Sequence, residues 1–154
     1  MGRTMSFGQQ IAAMPLRRTK SGGFEVLMVT SRDTGRWVMP KGWEMDGEKP
    51  WSAAEIEALE EAGAVGYISK KSIGQFHYGK VLDDGSVQPC VVRVFPMMVE
   101  RLKSDWKERK QRKRRWFTLD SAADKVDEPD LAELLREIGR KPKKQPIIRE
   151  LLRG

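Results

Sequence analysis

Apolar residues fall along this chain in runs of strand length, separated by glycine, proline and aspartate. Gln10–Leu16 and Phe24–Ser31 read as strands on either side of a Ser21-Gly22-Gly23 turn. Arg36–Met39 reads as a short strand that ends at Pro40. Pro50 suits a first helical turn and Gly63 suits the position just past a helix end, so a helix is expected between them. Ala64–Gly79 and Val87–Val99 read as strands, with Asp83-Asp84-Gly85 turning between them. Arg115–Thr118 is a shorter strand and Ala122–Val126 a helical turn. Pro129–Ile138 has the spacing of an amphipathic helix. Gly139–Gln145 reads as a basic, proline-broken linker before a last helical turn over Pro146–Leu152. No segment repeats. This order predicts an α/β class: a mixed β-sheet sandwiched between helices.

Composition narrows the picture. The 154 residues and 39% hydrophobic content fit one domain, residues 1–154, with a real core. No apolar run approaches a membrane span, and Met1–Ser6 lacks the apolar stretch of a leader, so a cytoplasmic location is expected. The single cysteine, Cys90, lies in an apolar run and reads as a buried small hydrophobe. The charge is far from uniform. Arg101–Arg115 holds nine basic and two acidic residues, and the rest of the chain is formally neutral, so the whole excess of +7 sits there. Such a segment is either a solvated loop or a docking strip for polyphosphates, nucleic acid or an acidic surface.

The chemistry concentrates in Gly42–Ala64. A glycine turn and Glu48 lead into a helix carrying Glu57, Glu60 and Glu61. At about 100° per residue the three carboxylates lie within about 100° of one helical face, the footprint of a divalent cation. Ala53 and Ala54 lie one turn earlier on that face and block nothing. The sole histidine, His77, follows Phe76 in a strand-like stretch and reads as structural. Trp37, Trp43 and Trp51 surround the motif as core or rim, with Trp43 near enough to meet a substrate base.

This motif resembles the Nudix box, G-x5-E-x7-R-E-U-x-E-E-x-G-U with U aliphatic. Gly42, Glu48, Glu57, Glu60, Glu61 and Gly63 match it at the required spacing. One position departs: Ile56 stands where the box has arginine. An arginine there would be i,i+4 to Glu60 and could hold that carboxylate. Isoleucine offers no donor. Either another group orients the glutamate or activity is reduced.

The resemblance extends to the fold over residues 8–138, leaving 139–154 as a basic C-terminal extension. It implies hydrolysis of a pyrophosphate-linked substrate with Mg²⁺ or Mn²⁺. Val29–Pro40, Ser104–Trp106 with Arg112–Phe117, and Leu119–Val126 are similar to passages of diphosphoinositol polyphosphate phosphohydrolases, which also cleave diadenosine polyphosphates. By position, Glu57, Glu61 and the backbone carbonyl of Lys41 are then expected as metal ligands. Glu60 is expected as general base or as a further ligand. Arg32, Arg36 and Arg114 are expected on the substrate phosphates, where a guanidinium binds in a bidentate way. The first strand reads Gln9-Gln10-Ile11 where the inositol enzymes carry cations, which favours dinucleoside polyphosphates. Two alternatives stand beside this reading. One is a catalytically weakened Nudix protein that binds a phosphorylated ligand. The other is an RNA 5′-end pyrophosphohydrolase that docks nucleic acid through Arg101–Arg115.

Overall fold

The computed structural model describes residues 6–153; Met1–Met5, and with them most of the expected leaderless N-terminus, lie outside the described residues. Eight strands form one sheet: β1 (Gly8–Arg18), β2 (Phe24–Thr30), β3 (Trp37–Val38), β4 (Lys41–Trp43), β5 (Ala64–Ile68), β6 (Gly74–Val81), β7 (Val87–Leu102) and β8 (Arg114–Thr118). β1 lies parallel to β7, from Gly8 opposite Cys90 to Leu16 opposite Met98, and every other pairing is antiparallel.

Both faces of the sheet are covered. Ala12, Met14, Leu16, Val26, Met28, Val92 and Val94 face one core with α2 (Leu119–Lys125), α3 (Pro129–Arg140) and α4 (Pro146–Arg153). Ile11, Ala13, Leu27, Val29, Phe95 and Met97 face the other, against α1 (Pro50–Ala62). Burial on two faces explains why these strands read as continuous apolar runs instead of clean alternations. The expected sandwich is the observed one, and no helix among the described residues is long and apolar enough to cross a membrane.

Three local expectations need correction. Ala64–Gly79 is not one strand. Ser69 Oγ donates to the Lys71 carbonyl at 2.9 Å and accepts from the Lys71 amide at 3.0 Å, a side-chain turn that splits the run into β5 and β6. Lys41–Trp43 forms a short strand paired with Gln10–Ala12, which carries the motif glycine onto the sheet. Gly139–Gln145 is no open linker, because α3 runs on to Arg140 and Pro142–Lys144 makes a turn of 3-10 helix. Beyond it, α4 belongs to the core. Ile148 is fully buried there with Leu152 packed beside it.

Candidate active site

α1 begins at Pro50, whose missing N–H costs nothing at a first helical position. Just before it, Ser52 Oγ donates to Glu48 Oε2 at 2.6 Å, so the motif's first glutamate braces the helix start and stays out of the cleft. The helix ends at Gly63, whose φ of +64° is a left-handed conformation that favours glycine.

Beyond Gly63 the last carbonyls of α1 are closed from outside. The amide of Glu108 donates to the Glu60 carbonyl at 3.0 Å and Trp106 Nε1 to that of Glu61 at 3.0 Å. Arg114 Nη1 donates to the carbonyl of Ala62 at 2.9 Å, and the Lys103 amide to that of Gly63 at 2.8 Å. Helix ends leave such acceptors orphaned, and cations there suit the helix dipole. The basic stretch between β7 and β8 is therefore a cap on the acidic helix, not a free loop.

A cleft of about 940 Å³ opens beside this helix. Glu57, Glu60 and Glu61 reach it from α1, Lys41, Gly42 and Trp43 from β4, and Arg32 and Arg36 from the β2–β3 connection. Tyr78 and Lys80 come from β6, and Glu108 and Arg112 from the capping segment. Gly42 lies directly under Glu57: a Cβ added there would stand 2.6 Å from Glu57 Oε1. A larger residue there would have to push the carboxylate aside.

The three carboxylates do not converge as the helical wheel suggested. Glu57 and Glu61 share a hydrogen bond, while Glu60 faces Lys107 Nζ at 3.4 Å. Among the described residues, no three acidic, histidine or cysteine side chains close on one metal-sized point. Glu61 is 5% exposed. Burial, then the hydrogen bond it donates to Glu57, pushes its carboxyl from an ordinary 4.5 up to about 9. Burial raises Glu57 as well. A proton shared by two close carboxyls is what a divalent cation displaces. Mg²⁺ is commonly held by one or two carboxylates, with waters and substrate phosphates completing its shell. Two carboxylates facing an open cleft fit that pattern, and the Lys41 amide lies 3.4 Å from Glu61 Oε1, which places its backbone beside the pair.

The arginines expected on phosphate separate. Arg32 lines the cleft, largely exposed, with Gln111 at 3.1 Å and Glu108 at 3.8 Å. Arg36 lines it too, tied to Glu128 at 3.1 Å and Asp127 at 3.4 Å. Arg114 does not. Its guanidinium is engaged by the Ala62 carbonyl and lies 3.9 Å from the Trp106 ring centroid, and burial lowers its pKa. The structure removes it from the candidate substrate contacts and makes it part of the helix cap. His77 Nδ1 meets Asp130 at 3.0 Å, a β6–α3 tie away from the cleft, as a structural histidine should.

Sequence reasoning missed the side chain of Lys41 in the cleft, and with it Tyr78, Lys80, Glu108 and Arg112. The Lys41 ammonium, 5.1 Å from the Tyr78 ring centroid, is drawn below the ordinary lysine range by burial. Tyr78 donates to the buried Gln10 at 2.6 Å, and burial raises its phenol. Glu108 and Arg112 were hidden inside a charge run. Their i,i+4 spacing was the only local signal.

A sheet flanked by helices on both faces, with a glutamate-bearing helix laid over a glycine strand, defines the Nudix architecture. A Nudix domain profile matches residues 8–138, and the chain belongs to the Nudix family. It is 37% identical over 101 residues to Nudix hydrolase 12, mitochondrial, of Arabidopsis thaliana, covering 64% of this chain and 50% of that protein. It is 34% identical over 101 residues to diphosphoinositol polyphosphate phosphohydrolase 3-alpha of Mus musculus, covering 64% and 57%. The chain thus spans little more than half the length of these relatives. Among solved structures, a C. elegans Ap4A hydrolase superimposes with a TM-score of 0.61 at 20% identity, over 86% of this chain and 96% of that one. A NUDIX hydrolase from Nitrosomonas europaea gives 0.65 at 19% identity, over 86% and 88%. At such identities the structural likeness carries the fold.

Proposed function

We propose that this chain hydrolyses a phosphoanhydride bond in a small molecule bearing a polyphosphate, with Mg²⁺ or Mn²⁺ as cofactor. The observation that carries this is the pairing of buried Glu61 with half-buried Glu57 at a cleft whose walls also bear Arg32, Arg36, Lys41 and Lys80. A divalent cation held by Glu57, Glu61 and the Lys41 carbonyl would neutralise phosphate oxygens and activate water. The chain's own groups do the rest. Arg32, itself exposed and held by Gln111 and Glu108, turns onto the substrate phosphates. Arg36, braced by Asp127 and Glu128 just before α3, presents its remaining N–H groups. Lys41 brings an ammonium to the cleft floor, and an arriving phosphate offsets the burial that lowers its pKa. Glu60 has a part-exposed carboxylate with one ionic partner, and it takes the proton of the attacking water. As oxygen adds to phosphorus, the bridging P–O bond breaks and the leaving phosphate departs with its electron pair.

Diadenosine polyphosphates are the substrates the cleft favours over diphosphoinositol polyphosphates. Trp43 stands at the rim, 42% exposed, where an adenine can stack. The first strand offers Gln10, engaged by Tyr78, in place of a cation for a densely phosphorylated ring. The names of relatives, one a diphosphoinositol polyphosphate phosphohydrolase and one an Ap4A hydrolase, support both classes.

The test is phosphate release with Mg²⁺ or Mn²⁺ from diadenosine polyphosphates, diphosphoinositol polyphosphates, nucleoside triphosphates, ADP-ribose and 5′-triphosphorylated RNA. Turnover is expected on the dinucleotides. Glu60→Gln should lower kcat by about a hundredfold or more, the usual weight of a general base. Silence across the panel with either metal would sink the hydrolase reading and leave a binder of phosphorylated ligands.

A further inference from the structure

α1 carries Glu55, Glu57, Glu60 and Glu61 and not one lysine, arginine or histidine. Residue 56, one turn before Glu60, is isoleucine. Every cation that meets its cleft carboxylates therefore comes from elsewhere, and two come from the β7–β8 connection. Lys107 reaches Glu60 at 3.4 Å and Arg112 reaches Glu61 at 3.6 Å.

The two are built differently. Lys107 is an outlying ammonium with 68% of its side chain exposed. The Arg112 side chain is 9% exposed, and all three of its nitrogens have partners. Nε donates to Glu108 Oε1 at 2.9 Å, Nη1 to the Thr30 carbonyl at 3.0 Å, and Nη2 faces Glu61 Oε1. One guanidinium thus ties the end of β2, the capping segment and the acidic helix. Its frame is fixed before any ligand arrives, because the same segment and the start of β8 close four carbonyls at the end of α1. With Nε and Nη1 held by Glu108 and the Thr30 carbonyl, the guanidinium is fixed with Nη2 turned toward Glu61.

We propose that Arg112 is the positioning residue for Glu61, and that the cationic support absent from position 56 is supplied across space by the β7–β8 connection. Glu61 is thereby held beside Glu57, where a divalent cation needs both oxygens. The activity arm of the test rests on the hydrolase reading above; the binding arm does not.

The experiment compares the parent chain with Arg112→Ala, Arg112→Lys, Arg112→Gln and Ile56→Arg. Mn²⁺ affinity is read from the free-ion electron paramagnetic resonance signal, and kcat and KM are measured on a diadenosine polyphosphate. Arg112→Ala should weaken Mn²⁺ binding by about 10- to 100-fold, the usual effect of losing an outer partner of a metal ligand, with a matching fall in kcat. Arg112→Lys should recover little, since a point charge cannot span three partners. Ile56→Arg should leave both readings nearly unchanged, because the acidic face already has its cations. If Arg112→Ala does not fold by circular dichroism, Arg112→Gln and Arg112→Lys carry the comparison. Parental Mn²⁺ affinity with a raised KM alone would overturn the proposal and make Arg112 a substrate contact. A large gain in Mn²⁺ affinity from Ile56→Arg would overturn it too, by showing the site incomplete without a helix arginine. Should the parent bind Mn²⁺ and hydrolyse nothing, the hydrolase reading fails while the Mn²⁺ comparison still judges Arg112.

Discussion

A methyl group on residue 42 would sit 2.6 Å from Glu57 Oε1 and 2.7 Å from its Cδ, well inside contact distance. Gly42→Ala must therefore move the carboxylate, and Mn²⁺ affinity should fall by about tenfold or more. The melting temperature should change little, because the flexible end of a side chain absorbs the clash. Titration of Mn²⁺ alongside thermal melts checks both. Glu61 sets a pH dependence of its own. From 4.5 to about 9 the folded, metal-free protein keeps a proton that the unfolded chain has released. That contribution to stability is fully present below 4.5 and is lost as pH rises toward 9. A metal must expel the same proton, so its binding strengthens with pH through this window. Melts at about pH 6 and about pH 8.5, with chelator and with Mg²⁺, should show the metal-induced rise in Tm growing with pH. At this scale the motif made Gly42, Glu57, Glu60 and Glu61 legible, because it fixes spacing along one helix. It could not show that Glu60 turns to Lys107, nor that Arg112 reaches Glu61. Those partners are separated in sequence and sit within a charge run where no residue stands out.

α1 is punctuated locally at both ends, by Pro50 and Gly63, and both marks could be read directly. What closes its last turn could not. Arg114 looked like a phosphate contact, yet it caps Ala62 as Trp106 caps Glu61. Arg114→Ala should therefore destabilise the protein by about 1–3 kcal/mol, combining a charge-assisted hydrogen bond with a cation–π contact. It should also lower amide-exchange protection in the capping segment. Loss of substrate affinity with unchanged stability would contradict this placement. Elsewhere, strands such as β1 and β2 were legible from apolar runs long enough to bury both faces. β4 was not, because a strand of three residues has no period to detect. The break between β5 and β6 rests on one serine hydroxyl folding back on Lys71, which hydrophobic pattern does not register.

Across the whole molecule the excess charge of +7 is gathered in residues 101–115. Arg112 and Arg114 are taken up inside, but Lys103, Lys110 and Lys113 stay exposed on the segment that borders the cleft. Their field should draw polyanions toward the site. Replacing these three lysines with serine should flatten the rise of KM with salt while kcat holds, measured on a diadenosine polyphosphate from low to physiological ionic strength. The sandwich as a whole was legible because its order of elements is simple; its closure depends on distant partners. The donors that finish α1 lie 45 and 52 residues after the carbonyls they meet, and Arg112 reaches back 82 residues to Thr30. During synthesis the full acidic motif leaves the ribosome long before these partners exist. A half-made chain carries every residue of the box with no finished cation site, so the capacity to bind metal arrives only with the later half of the fold.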